Sequence, residues 1–273
     1  MTKEIIKSKY GYSSIDLDVL VEIGKEITEN VTKSYDDLVR ELNLDHHSLL
    51  LDFEKVYMKV LFTEAKKKYA ALKVWEGGKS CYELEIKGFE YKKSDSAWIS
   101  RTLQRDLLNI ILEGASKSEI VKFILDIVTK INQKNIDLDE IGIPKGIGKP
   151  LNMYKVDNPW IRGARYANRY FGTNFGYGDK VKLIYLHKKQ VPNNPGSDVF
   201  SFVRGETVPK EIIDLIDTET MIEKIVELKS KRILDVCGIK WDEINIPKNQ
   251  QTLHKYFKNR EENINRWIKE KDV

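Results

Sequence analysis

Residues Phe53 to Leu72, FEKVYMKVLFTEAKKKYAAL, begin with an alternation typical of a β-strand. The alternation places Val56, Met58, Val60 and Phe62 on one face and Tyr57, Lys59 and Leu61 on the other. We therefore expect a buried strand whose end presents Lys66, Lys67, Lys68 and Tyr69. Three adjacent lysines repel one another, so an anionic partner is a physical reason to hold them on a rigid strand. A solvated strand end is the alternative interpretation.

Length and composition indicate a globular protein and limit the other classes to which the chain could belong. The chain has 273 residues, of which 41% are hydrophobic and 32% charged, enough to bury the core of one large or two small domains. Cys81 and Cys237 lack a paired spacing and only four histidines are present, which argues against a disulfide framework or a zinc site. No run approaches the ~20 apolar residues of a membrane span, and residues 1–10 lack the apolar core of a signal peptide. We expect a cytoplasmic protein with no membrane partner.

The positive charge is concentrated in one window. Between Lys145 and Gln190 ten Lys and Arg stand against Asp157 and Asp179, a net +8, so the rest of the chain sums to −4. Eight aromatic residues are interleaved with these charges. This combination favours nucleic-acid binding over an anionic protein partner or plain solvated charge.

Periodicity predicts the remaining elements. Apolar residues at steps of three and four predict a helix over about Leu17 to Leu42, and Gly77-Gly78 predicts a hairpin turn before a strand over Cys81 to Ile86. We then expect a helix ending at Gly114, a helix after a capping box at Ser116–Glu119, a loop over 142–157, a strand over Lys180 to His187 and a helix over Met221 to Leu234. The predicted fold class is α+β.

Asn158-Pro159 predicts the start of a further helix, with Asn as the cap and Pro at the first position. Arg162, Arg165 and Arg169 then share one face of it. Guanidinium groups beside a helix N-terminus suit phosphate oxygens, so this ridge is a candidate phosphate-tracking surface. Three solvated arginines on an outer face are the alternative.

The order of these features resembles the family B DNA polymerases, the archaeal type in particular. Residues 51–72 resemble that family's Leu-Glu-(Tyr/Phe)-Glu strand followed by Lys-Lys-x-Tyr. Residues 87–104 resemble the passage from palm to thumb, although Ser94 and Ser96 stand where the family often has the second Arg and the Trp of Arg-Arg-Asp-Trp. Pro159-Trp160-Ile161 resembles Pro-His-Val, with Trp160 in place of His, and residues 178–181 and 222–234 resemble the end of the thumb.

The resemblance implies a C-terminal palm portion at 1–94, a mostly helical thumb at 95–245 and a clamp-binding tail at 246–273. It also implies that the chain grips double-stranded primer-template DNA. The implied DNA-binding residues are Lys66, Lys67, Lys68, Tyr69, Lys93, Arg101, Lys149, Arg162, Arg165, Arg169 and Lys180. The implied location is nucleoid-associated.

The family's catalytic aspartates have no counterpart here. Tyr10-Gly11-Tyr12-Ser13-Ser14-Ile15 stands where the resemblance places Tyr-Gly-Asp-Thr-Asp-Ser, and Asp16 and Asp18 fall after the match. The overlapping stretch Ser8-Lys9-Tyr10-Gly11-Tyr12 equally resembles a remnant of the family's Asn-Ser-x-Tyr-Gly nucleotide-binding helix. We therefore assign no catalytic or metal-binding residue and expect the chain alone to be inactive. Nucleotidyl transfer, with Mg²⁺ bound in the assembled polymerase, would need a large subunit carrying the remaining palm and fingers.

The tail contains QQTLHKYF, Gln250 to Phe257, which matches the peptide by which replication proteins dock on a sliding clamp. A one-turn helix would present Leu253, Tyr256 and Phe257 as an apolar plug, with Gln250 hydrogen-bonding beside it. The alternative is a local amphipathic turn.

For the whole chain, the main hypothesis is the DNA-gripping subunit of a split polymerase. The alternatives are a non-catalytic DNA- and clamp-binding adaptor and a plain protein-interaction module.

Overall fold

A computed structural model describes residues 16–187 and 197–244. The chain divides into two compact units between Gly88 and Phe89. The domain boundaries expected after residues 94 and 245 stay predictions. Both units combine helices with antiparallel strands, which agrees with the predicted α+β class.

The first unit contains one long helix and a three-stranded antiparallel sheet of order β1-β2-β3. Its elements are α1 (Leu17–Glu41), β1 (Lys55–Phe62), β2 (Tyr69–Glu76) and β3 (Lys79–Lys87). Asp16 caps α1 by accepting a hydrogen bond from the Val19 N–H at 3.0 Å. The predicted helix over 17–42 and the predicted Gly77-Gly78 hairpin are confirmed.

The stretch Phe53–Leu72 is two strands, β1 and β2, joined by a turn at residues 63–68. The prediction that Lys66–Lys68 end a single strand is therefore wrong. The expectation of a buried strand with these two faces is also partly wrong, because Val56 and Leu61, assigned to opposite faces, are buried, whereas Met58, Val60 and Phe62 are exposed. The β1–β2 register shifts on both sides of Tyr57, and an extra residue at such a bulge moves every later side chain to the opposite face.

Helix α1 touches the sheet over a short length. Ile23 is its buried residue, and an added Cβ at Gly24 would lie 2.3 Å from the ring of Phe53, which itself packs 5.3 Å from the Trp75 ring. The other apolar residues of the stripe, Ile27, Val31, Leu38 and Leu42, are 37–58% exposed. The described residues therefore leave most of the apolar side of this amphipathic helix exposed to solvent.

The second unit packs helices around a small antiparallel sheet of order β4-β5-β6. Its strands are β4 (Ile143–Gly146), β5 (Lys180–Tyr185) and β6 (Val199–Phe202). Its helices are α2 (Trp98–Glu113), α3 (Lys117–Asn132), α4 (Leu138–Ile141), α5 (Pro159–Tyr170), α6 (Lys210–Asp214), α7 (Thr218–Ile222), α8 (Leu228–Val236) and α9 (Trp241–Ile244).

Several local predictions in this unit are confirmed. Gly114 ends α2 with φ +101°, Ser116 and Glu119 form the capping box of α3, and Pro159 begins α5. The loop expected over 142–157 is partly wrong, because it contains β4, whose residues 143–146 pair with 180–183. The expected Met221–Leu234 helix is a run of α7, a π-helical turn (Glu223–Glu227) and α8.

Helix α5 lies closely on β6 because its facing residues are small. An added Cβ at Gly163 would lie 2.6 Å from Ser201 Oγ and 3.0 Å from the Ser201 backbone nitrogen. Ala164 and Ala167 are fully buried on the same side. Because this side of α5 packs on β6, the face that carries Arg165 and Arg169 remains exposed.

Candidate nucleic-acid interface

The turn at residues 63–68 presents the predicted lysines. It is closed by Lys68 O, which accepts hydrogen bonds from the Thr63 N–H at 3.2 Å and the Thr63 hydroxyl at 3.1 Å. Lys67 has φ +60°, a left-handed conformation that a non-glycine residue rarely adopts. Lys66 and Lys67 are exposed at its tip, whereas Lys68 is half-buried.

Gly88, at the end of β3, supports this turn. Its φ is +75°, and an added Cβ would lie 2.6 Å from the Lys67 carbonyl oxygen. Backbone therefore packs on backbone at the base of the turn. The two exposed ammonium groups are thus carried by a constrained turn, which lowers the entropy lost when they bind an anion.

Tyr69 belongs to a hydrogen-bonded cluster beside the turn. The hydroxyls of Tyr57 and Tyr69 both donate to Glu85 Oε1 at 2.9 Å, and Lys55 Nζ donates to Oε2 at 2.9 Å. Burial would raise the pKa of Glu85, but these three hydrogen bonds outweigh it and lower the pKa to about 2. The cluster fixes Tyr69 at the start of β2, with its ring 6.1 Å from that of Phe62.

The three predicted arginines of α5 have different surroundings. Arg162 is bound to Asp198 through Nε at 2.7 Å and to the Asp157 carboxylate through Nη1 at 2.9 Å, so its charge is balanced within the chain. Arg165 donates to the carbonyl of Leu151 and lies 3.8 Å from Asp157. Arg169 is exposed, with its guanidinium 5.4 Å from the Tyr170 ring centroid. Arg165 and Arg169 therefore suit a phosphate contact better than Arg162.

The remaining predicted cations of the second unit are spread over several elements. Lys149 is exposed and lies 4.7 Å from the Tyr154 ring centroid, and Lys180 is exposed at the start of β5. Lys93 is exposed, 3.7 Å from Glu90. Arg101 is half-buried in α2, and its Nε has no hydrogen-bond partner among the described residues.

Aromatic side chains in the basic window divide into core and surface. Tyr166 and Phe175 are buried, and Tyr166 packs with Tyr170 and Phe171 at centroid distances of 5.3 and 5.5 Å. Tyr177 is 71% exposed. Much of the aromatic signal that favoured nucleic-acid binding therefore belongs to the core.

Sequence reasoning missed the residue that orders the loop carrying Tyr177. The Asn168 side chain donates to Phe175 O and accepts from Thr173 Oγ1 and the Phe175 N–H, each at 2.8 Å. Asp179 Oδ2 accepts from the Gly176 N–H at 2.7 Å. These bonds order the loop that carries the exposed Tyr177 and leads into β5 at Lys180. The Gly178-Asp179 turn signal was the only sequence cue to this loop.

Residues 10–240 match the family model for DNA polymerase family B. The chain belongs to this family. The family B chain is 27% identical over 186 residues to DNA polymerase 2 of Aeropyrum pernix, covering 68% of the chain and 21% of that protein. It is 26% identical over 260 residues to the DNA polymerase of Methanocaldococcus jannaschii, covering 94% of the chain and 15% of that protein. The chain thus spans about a fifth or less of these relatives.

A solved structure with similar geometry is the family B DNA polymerase of the hyperthermophilic archaeon Pyrobaculum calidifontis. The TM-score is 0.53 at 26% sequence identity, over 76% of the family B chain and 25% of that polymerase. The mixed helix and antiparallel-sheet fold therefore resembles part of a family B polymerase. The predicted recognition of the family is confirmed.

Three further predictions for the family B chain concern metal binding, the tail and membrane partners. Within residues 16–187 and 197–244, no three His, Cys, Asp or Glu side chains lie close enough to hold a metal ion. Residues 250–257, including Gln250, Leu253, Tyr256 and Phe257, lie outside the described residues. No described helix is both long and apolar enough to cross a membrane.

Proposed function

We propose that this chain grips the primer-template duplex in a family B DNA polymerase, as the C-terminal palm portion (1–94) and the thumb (95–245). The observation that carries the proposal is the constrained 63–68 turn, which displays Lys66 and Lys67 in the segment resembling the family's Lys-Lys-x-Tyr motif. Arg165, Arg169, Lys149 and Lys180 would supply further contacts to backbone phosphates. Such contacts are independent of base sequence and sensitive to salt.

Within this proposal, nucleotidyl transfer takes place only when a separate large subunit supplies the remaining palm, the fingers and the Mg²⁺-binding aspartates. The exposed apolar stripe of α1 supports such a partner, since Ile27, Val31, Leu38 and Leu42 need a cover. Met58, Val60 and Phe62 of β1 are exposed in the same unit. The three quarters or more of a family B polymerase that this chain does not match is an occupant of suitable size, and the complex would act at the nucleoid.

The tail would add clamp docking. In this proposal Gln250, Leu253, Tyr256 and Phe257 bind an apolar pocket of a sliding clamp. Replacing Tyr256 and Phe257 by Ala should abolish clamp binding in a pull-down or surface plasmon resonance assay and leave duplex binding unchanged.

Duplex binding is tested by fluorescence anisotropy with a labelled primer-template at several salt concentrations. The double variant Lys66→Ala/Lys67→Ala should bind more weakly and lower the slope of log K against log salt by about 2, one phosphate contact for each lysine. Lys25→Ala/Lys79→Ala removes two other exposed lysines of the same unit and is the matched control. Equal losses for both pairs would show that the 63–68 turn has no special role.

The partner is tested by primer extension with a chain carrying the remaining palm and fingers. Extension should require both chains, and Leu38→Asp should abolish it without weakening duplex binding. Lys33→Asp, on the opposite side of α1, is the control. If the folded pair extends no primer while each chain binds its own target, the split-polymerase proposal fails and the adaptor alternative is favoured.

A further inference from the structure

A cleft of about 290 Å³ lies within the second unit. Its walls come from the starts of α2 and α5, the strands β4 and β5, the segment 90–96, and the π-helical turn with the start of α8. This volume is just below the range of about 300–1,000 Å³ that is usual for small-molecule sites, so only a small ligand would fit.

Two helices begin at this cleft without a side-chain cap. Ala97, the N-cap of α2, has no side-chain oxygen that could accept a capping hydrogen bond. The side chain of Asn158, the N-cap of α5, makes no capping hydrogen bond either. Neither helix has an acidic residue in its first turn, although α2 has 16 residues and α5 has 12. Helix α3, by contrast, begins with a complete capping box at Ser116 and Glu119. The starts of two helices that lack a side-chain cap therefore line one cavity, and each contributes the positive end of a helix dipole.

The lining of the cleft is also positively charged. It contains four lysines and two carboxylates, a net +2: Lys93, Lys145, Lys224 and Lys229 with Glu90 and Asp95. Glu90 binds Lys229 and lies 3.7 Å from Lys93, so it is shared between two of the lysines. The π-helical turn, a rare distortion often found at functional sites, carries Lys224, whose ammonium group pairs with Glu223 at 2.8 Å, so Lys145 is the lysine of the lining with no carboxylate partner among the described residues.

A third observation is an unsatisfied donor in the same wall. The indole nitrogen of Trp160, in the first turn of α5, is buried and has no hydrogen-bond partner in the described part of the chain. A buried N–H without an acceptor is unfavourable, so a bound acceptor would be stabilised there. Lys145 lies 5.9 Å from the centroid of this ring.

From these three observations we propose that the cleft binds a small phosphorylated ligand through Lys145, Lys224, the Trp160 indole N–H and the two helix N-termini. The ligand would be of pyrophosphate or mononucleotide size, since a duplex cannot enter this volume. The rings of Trp160 and Tyr185 in the wall offer an aromatic face to a base. The proposal is independent of duplex gripping, because none of the proposed ligand contacts is assigned to the duplex; Lys93, which is, lies in the lining but is not one of those contacts.

The test is isothermal titration calorimetry of the full chain with three probes: pyrophosphate, deoxyadenosine monophosphate and a 5′-phosphorylated trinucleotide. Lys145→Ala and Lys224→Ala should each weaken binding at least about tenfold, as expected for loss of a charged hydrogen bond. Trp160→Phe, which keeps an aromatic ring but removes the N–H, should weaken binding about fivefold. Lys231→Ala is the matched control, since Lys231 lies on the adjoining α8 and pairs with Glu227 outside the cleft.

A variant that fills the cleft tests the site without removing a lysine. Ser96→Trp places a large side chain at a buried position in the cleft wall, and it should abolish binding while the circular dichroism spectrum stays unchanged. Binding of pyrophosphate alone would identify a free-anion site, and tighter binding of either nucleotide probe would show that the base takes part; both outcomes support the proposal. No saturable binding of any probe, or binding that Lys145→Ala, Lys224→Ala and Ser96→Trp leave intact, would overturn it. Anisotropy with primer-template, measured in parallel, reports duplex gripping separately.

Discussion

Replacing Glu85 by Gln should destabilise the first unit in a pH-dependent way. Glu85 is 12% exposed and accepts from Lys55, Tyr57 and Tyr69. Its pKa falls from an ordinary 4.5 to about 2, which corresponds to about 3 kcal/mol of stabilisation at neutral pH. Gln keeps an acceptor oxygen for the tyrosines but loses the charge, so the variant should lose most of this contribution.

The pH dependence follows from the sign of that pKa change. Folding lowers the pKa of Glu85, so its stabilisation is fully present above the unfolded value of 4.5 and is lost as the pH falls through about 2. The difference in unfolding free energy between wild type and Glu85→Gln should therefore be about 3 kcal/mol at pH 7, about 1 kcal/mol at pH 3 and close to zero at pH 2.

The measurement is pulsed hydrogen exchange in a urea series, followed by mass spectrometry of peptides covering β2. It reports the stability of the sheet within the full chain, whatever the second unit does. Glu83→Gln is the matched control on the same strand, since Glu83 pairs with Lys73 at 3.0 Å but is 65% exposed, and it should cost less than about 1 kcal/mol. A Glu85→Gln effect that is equal at pH 7 and pH 3, or that matches the control, would refute the assigned cluster.

Three glycines give further predictions. Gly24→Ala should destabilise the first unit by about 1–2 kcal/mol in urea denaturation, because the new methyl displaces the Phe53 ring, whereas Asn30→Ala on the exposed side of α1 should not. Gly163→Ala should cost about 1–3 kcal/mol by pushing α5 off the β6 backbone; Gly176→Ala, where a Cβ meets nothing within 4 Å, is its control, and a smaller loss at Gly163 than at Gly176 would contradict the close packing. Gly88→Ala should disturb the Lys67 turn and weaken duplex binding in the anisotropy assay, and unchanged affinity would mean that the turn need not be rigid.

Local signals in the sequence predicted several elements correctly because their physics is local. The Ser116–Glu119 capping box, the Gly114 helix end and the Gly77-Gly78 hairpin each depend on residues within four positions of one another. The bulge near Tyr57 was not predictable in this way, since it depends on how β1 registers against β2. Strand β4 was missed because Ile143–Gly146 is short, contains Pro144 and forms only by pairing with a strand about 40 residues later.

The candidate site was predictable to a different degree. The sequence alone predicted exposed lysines at 66 and 67. It did not predict that Asp198 binds Arg162, because these two residues are 36 positions apart along the chain. The cleft lined by Lys145 and Lys224 had no sequence signal, since its wall comes from six separate segments. The family resemblance predicted the order of the motifs, and the structure shows which residues surround each of them.

The irregularity in β1 also affects the solubility of the isolated chain. In the order β1-β2-β3, β1 is an edge strand, and its outward face carries Met58, Val60 and Phe62. A straight apolar edge of this kind invites pairing with the same edge of another molecule and growth into aggregates. The extra residue beside Tyr57 bends that edge and interrupts its ladder of donors and acceptors. The bulge should therefore disfavour edge-to-edge self-association of the first unit.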